Sequence, residues 1–426
     1  MHPIREILQT KGRGVFSVCS ANELVLRASM RHARKHHYLV IVESTANQVD
    51  QFGGYTGMKP ADFVELVKNI AAEEQLPEHL LVLGGDHLGP LTFAKYPEEE
   101  AMRLSKELVA AYVKAGYTKI HLDTSMRVAS DDPTQPLDVR VCARRGAALA
   151  KVVYESLAEY RLECHDAVNP VLVIGSEVPI PGGSHEHEDS ITPTSVRDFR
   201  EQVQAFREAF AAEDVPFDDV VGFVVQPGVE FGDDFVFQYD RERAAELTAA
   251  LDENPPLVFE GHSTDYQTCR SLSRLVEDGI AILKVGPALT FAAREGLLLL
   301  ELIEKELIPS EKWSNFRCVL IDEMDASPKY WSSYYCGTQA EIDYKKLYSY
   351  SDRCRYYLPN EQVNSAAEKL LTNLSEGDIP AALVSQYFPN QYRKVMEGVL
   401  SGDAMSILLD RLAEPNEAYA TACRLM

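Results

Sequence analysis

Basic residues are scarce in this sequence. Lys and Arg together number 42 against 65 Asp and Glu, which gives a formal net charge of -23. A protein that binds nucleic acid needs clustered positive charge, so we expect no nucleic-acid partner. The sequence also has no stretch of about 20 apolar residues, and residues 1–14 are polar. It therefore predicts neither a membrane span nor a secretory signal.

The glycine-rich motifs of nucleotide-binding proteins are missing as well. No Gly-x-x-x-x-Gly-Lys-Ser/Thr loop occurs, and no glycine-rich dinucleotide turn follows the first predicted strand. These loops supply the backbone amides that bind nucleotide phosphates. We therefore predict no nucleotide cofactor, and we exclude a P-loop kinase.

The eight cysteines are dispersed, and none forms a C-x-x-C pair. This distribution matches neither a zinc knuckle nor a disulfide framework. The composition, 46% hydrophobic and 25% charged, is that of a soluble globular enzyme. The sequence thus predicts a cytoplasmic protein with reduced thiols.

Short β-branched runs alternate with longer segments of helical periodicity, a rhythm typical of βα units in a parallel sheet. The predicted strands are Val15 to Ser20, Tyr38 to Thr45, Leu80 to His87, Lys119 to Asp123, Val171 to Val178, Val220 to Pro227, Leu257 to Ser263 and Ala281 to Pro287. Eight repeats favour a (β/α)8 TIM barrel in the α/β class. An open α/β sheet is the competing fold.

The rhythm stops near Pro309, where the sequence becomes rich in Trp and Tyr. That density of aromatic side chains is too apolar for a disordered tail. We therefore divide the chain into a barrel, residues 1–308, and a mostly helical extension, residues 309–426, packed on the barrel or on a partner chain. Within the barrel, Gly182 to Pro193 is predicted to be a long functional βα loop.

Polar residues gather at the predicted carboxyl ends of the strands, where barrels of this type carry their active sites. A single His or Glu at such a position is usually structural, but the coincidence on seven strands favours a ligand site. The candidate acid–base groups are Glu43, Asp86, Asp123 and Glu260, and the candidate metal ligands are His87, Glu177 and His262. The candidate substrate-binding residues are Asn47, Gln48, Gln51, Gln226, Ser263, Lys284 and Gly286.

Imidazole and carboxylate groups of this kind suit a catalytic divalent metal of the Zn, Mn or Ni class. Asp86 and Asp123 could instead orient the ligands or take a hydroxyl proton. The run His185 to Asp189 resembles a metal motif, but its alternating charges favour a solvated surface.

Three interpretations of Lys284 stay open. It could be a Schiff-base nucleophile, a fixed cation for a phosphate, or a side chain that only packs along the barrel wall. Directly after it, the turn from Gly286 to Ala288 leads into a predicted helix. The amides of a helix N-terminus favour a phosphate at the place where barrels often bind one. The sequence therefore predicts a phosphorylated ligand near this turn.

Several motifs together resemble the GatZ/KbaZ family, the accessory Z subunits of class II D-tagatose-1,6-bisphosphate aldolase. The motifs are ESTANQVDQFGGYTG from Glu43, GGDHLGP from Gly84, IHLD from Ile120, EVPIPGG from Glu177, VQPGVEF from Val225, GHSTDYQ from Gly261 and LKVGPALTF from Leu283, with further matches at Ser20, Ser351 to Tyr357 and Ser385 to Tyr387. The resemblance implies a TIM-barrel protein of galactitol or amino-sugar catabolism whose partner, the Y subunit, holds the better-established zinc site.

Two functional hypotheses follow. The first is a non-catalytic partner that supports a class II aldolase Y subunit, and the aromatic extension would supply apolar interface. The second is a metal-dependent hexulose 6-phosphate 4-epimerase acting by retro-aldol cleavage and re-addition, because some members of the family are similar to such enzymes. Both hypotheses use the same barrel, and the predicted partners include a phosphorylated ketose and a second copy of the chain in a homo-oligomer. Older labels name a tagatose-6-phosphate kinase, which the missing phosphate loop contradicts.

Overall fold

A computed structural model describes residues 1–175 and 191–426 of the chain. Eight of the described strands are β1 (Val15–Val18), β2 (Val40–Thr45), β3 (Leu81–Leu88), β4 (Lys119–Leu122), β5 (Val171–Ile174), β6 (Val220–Val225), β9 (Val258–Gly261) and β10 (Ile280–Val285). They form a closed parallel barrel in the order β1-β10-β9-β6-β5-β4-β3-β2. A separate antiparallel pair joins β7 (Glu230–Phe231) and β8 (Val236–Phe237).

The barrel is closed because the first strand, β1, pairs with both the last strand, β10, and the second strand, β2. Ser17 is the register partner of Lys284 on β10 and of Ile41 on β2. All strand pairs in the barrel are parallel. The predicted (β/α)8 barrel is therefore confirmed, and the open sheet is excluded.

A helix follows each barrel strand, and seven further described helices precede or follow the barrel. The bounds are α1 (Pro3–Leu8), α2 (Glu23–His36), α3 (Pro60–Glu73), α4 (Glu98–Lys114), α5 (Val139–Tyr160), α6 (Val196–Ala212), α7 (Arg241–Leu251), α8 (Cys269–Glu277), α9 (Pro287–Leu307), α10 (Phe316–Ala326), α11 (Gln339–Tyr348), α12 (Glu361–Asn373), α13 (Ala381–Tyr387), α14 (Pro389–Met396) and α15 (Ala404–Ala422). The predicted helical character of the C-terminal extension is thus confirmed.

Several barrel helices begin at a side-chain cap that lies just after the strand loops. Asn22 accepts a hydrogen bond from the Val25 amide, Ser195 from Asp198, and Thr268 from Ser271. Such caps satisfy amides that the helix cannot pair internally, and each stabilises the protein by about 1 kcal/mol. They fix where the loops end, and so they shape the face on which the polar residues gather.

The barrel interior is divided into an apolar lower part and a charged upper part. A short N-terminal helix, α1, closes the bottom, and its Ile4 packs with inward residues of the strands. These residues are Val15, Leu39, Ile41, Val82, Val171, Val173, Val221, Val224, Val258, Ala281 and Ile282. Above them, at the carboxyl ends, charged side chains replace this packing.

The last helix, α15, packs against α2, α8 and α9 and contacts β1. The Tyr419 ring on this helix lies 5.5 Å from the ring of Phe16, centroid to centroid. Its hydroxyl donates to the Thr264 carbonyl oxygen at 2.6 Å, and Thr264 Oγ1 in turn donates to the Lys284 carbonyl at the same distance. The end of the extension thereby braces the loop after β9.

Two sequence predictions lie outside the described residues. They are the metal ligand Glu177 and most of the loop from Gly182 to Pro193, including the charged run His185 to Asp189. Among the described helices, none has the length and apolar character needed to cross a membrane.

Candidate functional site

A pocket opens at the carboxyl ends of the barrel strands. Of the residues predicted from the sequence, eight line it: Asn47, Gln48, Asp86, His87, His262, Ser263, Lys284 and Gly286. The predicted carboxylates Glu43, Asp123 and Glu260 are buried and do not line the pocket themselves. The structure therefore brings most of the predicted site together in two layers, a pocket wall and a charged layer behind it.

An irregularity in β3 directs two consecutive side chains towards the pocket. The register with β4 shifts between Gly85 and Leu88, and His87 has a left-handed φ of 52°. Regular alternation would send Asp86 and His87 to opposite faces of the strand, whereas a bulge re-aims a side chain. Both residues line the pocket as a result.

Three imidazoles meet beside the β3 carboxylate. The ring centroids of His87, His121 and His262 lie 5.0 to 5.3 Å apart. His121 Nδ1 lies 2.8 Å from Asp86 Oδ1, and His262 Nε2 lies 2.9 Å from Glu260 Oε1. Ligand atoms of Asp86, His121, Glu260 and His262 all lie within 4.8 Å of one another. A divalent metal would find nitrogen and oxygen donors of the right kinds here.

Two features of this cluster fit a metal. His121 Nε2 is buried and has no hydrogen-bond partner among the described residues, and a buried polar atom without a partner is costly. In addition, the carboxylates Glu43, Asp86 and Glu260 share two ammonium groups of the described residues, those of Lys119 and Lys284. Carboxylates thus outnumber ammonium groups in this part of the described site, and a divalent cation would add positive charge there.

His87 is held by a carboxylate behind it. Its Nδ1 lies 2.8 Å from Asp123 Oδ2, and its Nε2 lies 3.6 Å from Asp86 Oδ2. Burial alone would lower the pKa of His87, but the charges of Asp86 and Asp123 raise it. Burial likewise opposes ionisation of Asp123, yet the bond from His87 lowers its pKa to about 2. Such a carboxylate orients a histidine that acts as a ligand or a base.

A fully buried lysine connects the carboxylates of β2 and β9. Lys119 Nζ lies 2.6 Å from Glu43 Oε1 and 2.7 Å from Glu260 Oε2, and all three side chains are 0% exposed. Room for Glu43 comes from Gly84 on the neighbouring strand, because a Cβ there would lie 2.5 Å from Glu43 Cγ. A strand position without a side chain is therefore required for this charge layer.

Lys284 is paired with two carboxylates rather than left as a free amine. Its Nζ is hydrogen-bonded to Glu43 Oε2 and lies 2.8 Å from Asp86 Oδ1. Burial alone would lower the pKa of Lys284, but Asp86 and Glu43 raise it well above its ordinary value. A Schiff base requires a neutral amine, so this geometry favours the fixed cation over the nucleophile.

Burial determines the protonation of His262, whereas neighbouring charges determine that of Asp86. Burial lowers the pKa of His262 to about 4, against the opposing effect of Glu260, and a neutral imidazole is the form that binds a metal. For Asp86, burial alone would raise the pKa, but the charges of His87 and Lys284 hold it well below its usual range. Asp86 is therefore an ionised carboxylate at neutral pH.

The turn at Gly286 differs from the expectation of a phosphate bound by helix amides. Asp265 Oδ1 accepts from the amides of Gly286 at 2.9 Å and Ala288 at 2.8 Å. The next amides, of Leu289 and Thr290, donate to the Gly286 carbonyl, and Pro287 has none. A phosphate would thus compete with a carboxylate already in place. Gly286 still lines the pocket.

Two predicted substrate-binding amides are used for local structure. Gln51 Nε2 donates to the Leu104 carbonyl oxygen on α4 at 3.0 Å. Gln226 Oε1 accepts from the amides of Gly228 and Val229. Neither side chain lines the pocket, because the amide of each is engaged in fastening a loop.

The pocket also contains residues that we did not predict as ligand contacts. They are Cys19, Ser20, Ala21, Asn22, Thr45, Tyr55, Thr56, Phe231, Asp265, Val285, Pro287, Thr290, Arg355, Tyr356 and Pro359. Three of these come from the C-terminal extension. The motif from Ser351 to Tyr357 was the available signal, although nothing in its spacing assigned it to the barrel mouth. His121 was visible as a polar residue near the end of the fourth predicted strand and within the IHLD motif, whereas Lys119 was visible only as the first residue of that strand.

Comparison with known proteins gives a match over nearly the whole chain. A family model for the D-tagatose-1,6-bisphosphate aldolase subunit GatZ/KbaZ-like proteins matches residues 3–424. The crystal structure of a probable tagatose 6 phosphate kinase from Sinorhizobium meliloti 1021 is 40% identical, with a TM-score of 0.88. The match covers 96% of this chain and 100% of that one.

Two aldolase structures are more distant. The fructose-bisphosphate aldolase from Campylobacter jejuni is 14% identical with a TM-score of 0.45, covering 87% of this chain and 90% of that one. The YdjI aldolase from Escherichia coli K12 is 11% identical with a TM-score of 0.42, covering 86% and 97%. At this distance they carry no argument about the site.

Proposed function

The chain belongs to the D-tagatose-1,6-bisphosphate aldolase subunit GatZ/KbaZ-like family, and from this premise we propose that it is the accessory Z subunit of a class II aldolase. In this role it would support the activity and stability of a catalytic Y subunit during tagatose, galactitol or amino-sugar catabolism in the cytoplasm. The observation that carries the proposal is the family match, which spans the barrel and the extension alike.

Mixing the full chain with a class II tagatose-bisphosphate aldolase Y subunit tests this proposal. We expect the two chains to co-elute in size-exclusion chromatography and the Y subunit to hold its aldolase activity for longer at elevated temperature. Serum albumin at equal mass is the control for non-specific protection. Separate elution together with unchanged activity and half-life would reject the accessory role.

A second candidate is a hexulose 6-phosphate 4-epimerase, and one specific observation favours it. The chain's own pocket brings an ionised carboxylate, Asp86, beside a histidine–carboxylate pair, His87 and Asp123, and a fixed cation, Lys284. A purely supporting barrel has no need of buried charges, which are costly to fold around. The presence of these buried charges therefore supports a catalytic role for the pocket.

The residues suit inversion at C4 by cleavage and re-addition. Asp86, or His87 backed by Asp123, would take the proton of the C4 hydroxyl while the C3–C4 bond breaks and its electron pair moves to the C2 carbonyl. Re-addition to the opposite face of the aldehyde re-forms the bond and returns the proton. A divalent metal held by Asp86, His121, Glu260 and His262, with His87 or Glu177 as further candidates, would supply carbonyl polarisation.

Purified protein incubated with D-fructose 6-phosphate or D-tagatose 6-phosphate and Zn²⁺, Mn²⁺ or Ni²⁺ tests the second candidate. NMR would show interconversion of the two ketoses, and Asp86→Asn should reduce its rate by at least about 100-fold, as is typical for loss of an acid–base group. The exposed His79→Ala serves as the matched control. Absence of inversion with every metal would eliminate the epimerase. Phosphoryl transfer is not proposed, because the phosphate loop of P-loop kinases is missing from the sequence.

A further inference from the structure

We propose that Arg355, from the C-terminal extension, binds the phosphate of the ketose, and that Asp352 positions it. The inference rests on the proposed function only in taking the ligand to be a phosphorylated ketose. It assigns to the extension a direct part in the binding pocket of the barrel.

Arg355 lines the same pocket as the barrel residues Asp86, His262 and Lys284. Its neighbour Tyr356 lines the pocket too, and the Tyr356 ring meets the edge of Tyr55 from the loop after β2, with centroids 5.0 Å apart. The extension and the barrel therefore form one wall. A ligand that occupies the strand ends lies within the same cavity that Arg355 lines.

The guanidinium is held in place along one side. Arg355 Nη1 donates to the carbonyl oxygens of Ser351 and Asp352, the latter at 3.0 Å. Nη2 donates to the Tyr356 hydroxyl at 3.0 Å, and the guanidinium carbon lies 4.5 Å from the centre of that ring. The Nε hydrogen donates to no described residue. A donor of fixed orientation thus remains available, which is the arrangement that suits a phosphate oxygen.

The charge of Arg355 has no direct counterion in the described part of the chain. No carboxylate oxygen of residues 1–175 or 191–426 lies within 4.0 Å of its nitrogens, although other arginines of the extension, such as Arg411, have such partners. Asp265, which faces the same pocket, is already hydrogen-bonded to the amides of α9. A partly buried cation without a carboxylate partner is stabilised when an anion enters.

The same contacts explain why an arginine is needed at this place. In many barrels the amides of a helix N-terminus receive the phosphate. Here Asp265 occupies the first amides of α9, and the following ones are paired internally. The positive charge for the phosphate would therefore come from a side chain, and among the described residues Arg355 is the arginine that lines the pocket.

A buried anchor fixes the segment that carries Arg355. Asp352 accepts from Thr290 Oγ1 at 2.6 Å and from Arg294 Nε at 3.2 Å, both on α9. The side chains of Asp352 and Arg294 are 0% and 1% exposed. Tyr350 adds a stacked contact with Phe291 on the same helix. Asp352 is therefore a positioning residue that acts through Arg355.

Calorimetric titration of the full chain with D-fructose 6-phosphate and with unphosphorylated D-fructose tests the assignment. We expect wild type to bind the phosphate ester at least about tenfold more tightly, and R355Q to lose about tenfold or more in affinity for the ester while its affinity for D-fructose is unchanged. R355K, which keeps the charge but not the fork, should be intermediate. D352N should reduce the preference for the ester without changing metal content.

The exposed Arg197→Gln is the matched control, and circular dichroism melting curves check that each variant is folded. An unchanged ratio of ester to D-fructose affinity in R355Q would overturn the inference, and so would a wild type without preference for the ester. Neither result would bear on the proposal that the chain is the accessory subunit of an aldolase. Conversely, Arg355-dependent binding of the ester without C4 inversion would reject the epimerase alone.

Discussion

Replacement of Lys119 by methionine should destabilise the protein strongly. The Lys119 ammonium lies between Glu43 and Glu260 at 2.6 and 2.7 Å, and none of the three side chains reaches solvent. Methionine has a similar length but no charge, so both carboxylates lose a partner while they stay buried. Removal of one member of a buried ion pair costs about 3–5 kcal/mol. We expect a loss of about 4 kcal/mol in the free energy of unfolding.

Urea unfolding followed by circular dichroism measures this loss. With a urea m-value of about 3 kcal/mol/M, the midpoint should fall by slightly more than 1 M. The matched control is Lys114→Met, because Lys114 pairs with Glu159 at 2.5 Å at the surface, where the side chains are 50% and 63% exposed. An exposed pair contributes about 0–1 kcal/mol, so the control should remain close to wild type.

A double variant separates lost charge compensation from lost packing. In K119M/E260Q one of the two buried carboxylates becomes a neutral amide, so part of the stability lost in K119M should return. A K119M protein within about 1 kcal/mol of wild type would refute the reasoning, since removal of one member of a buried ion pair is expected to cost more than that. A double variant less stable than K119M would refute it as well.

Three further predictions concern metal binding, packing and pH. His121→Ala and His262→Ala should abolish zinc retention measured by mass spectrometry while His79→Ala keeps it, and full retention in all three would remove the ligand assignment. Gly84→Ala should cost about 1–3 kcal/mol of stability in urea, because its Cβ would meet Glu43 Cγ; an unchanged midpoint would contradict this packing. Burial, together with the charges of His36 and Lys35, lowers the pKa of His32 to about 4. As the pH falls, His32 is therefore protonated in the unfolded chain before it is protonated in the folded protein. The free energy of unfolding should thus be highest above pH 6.5 and should decrease as the pH drops towards 4. Between pH 6.5 and pH 4 the free energy of unfolding of His32→Gln should decrease by about 3 kcal/mol less than that of wild type. An equal decrease in both proteins would disprove the role of His32.

The repeating βα pattern was readable from the sequence because hydrophobic periodicity and helix caps are local. Helix α5, for example, begins at Val139 directly after its cap residue Asp138, and the predicted strand from Val220 to Pro227 ends at Val225. Most barrel strands end earlier than predicted because the polar residues that follow belong to the loops, although β2 ends at Thr45 as predicted and β3 extends to Leu88. Barrel geometry then places those residues on one face, which is why Asp86, His262 and Lys284 could be selected without a structure.

The pairing of charges was not readable, since it depends on which side chains meet inside the barrel. Lys119 begins its strand and resembles a solvated end in the sequence, yet it lies at the centre of the charge layer. Asp265 resembles a solvated loop carboxylate in the sequence, but it accepts hydrogen bonds from the amides of Gly286 and Ala288. Arg355 lies about 70 positions beyond β10, so its place in the pocket follows from the anchor of Asp352 on α9 and from nothing local.

The contact between α15 and β1 has a consequence for synthesis of the protein. Phe16 leaves the ribosome long before Tyr419, yet the rings of the two residues pack together in the folded chain. At about 5–20 residues per second, roughly 20–80 s separate the two. During that interval α15 does not yet pack against β1, and Tyr419 does not yet hold the loop after β9. Nascent chains released early would therefore expose apolar surface and a loosely held binding face, which is the form that chaperones and proteases recognise.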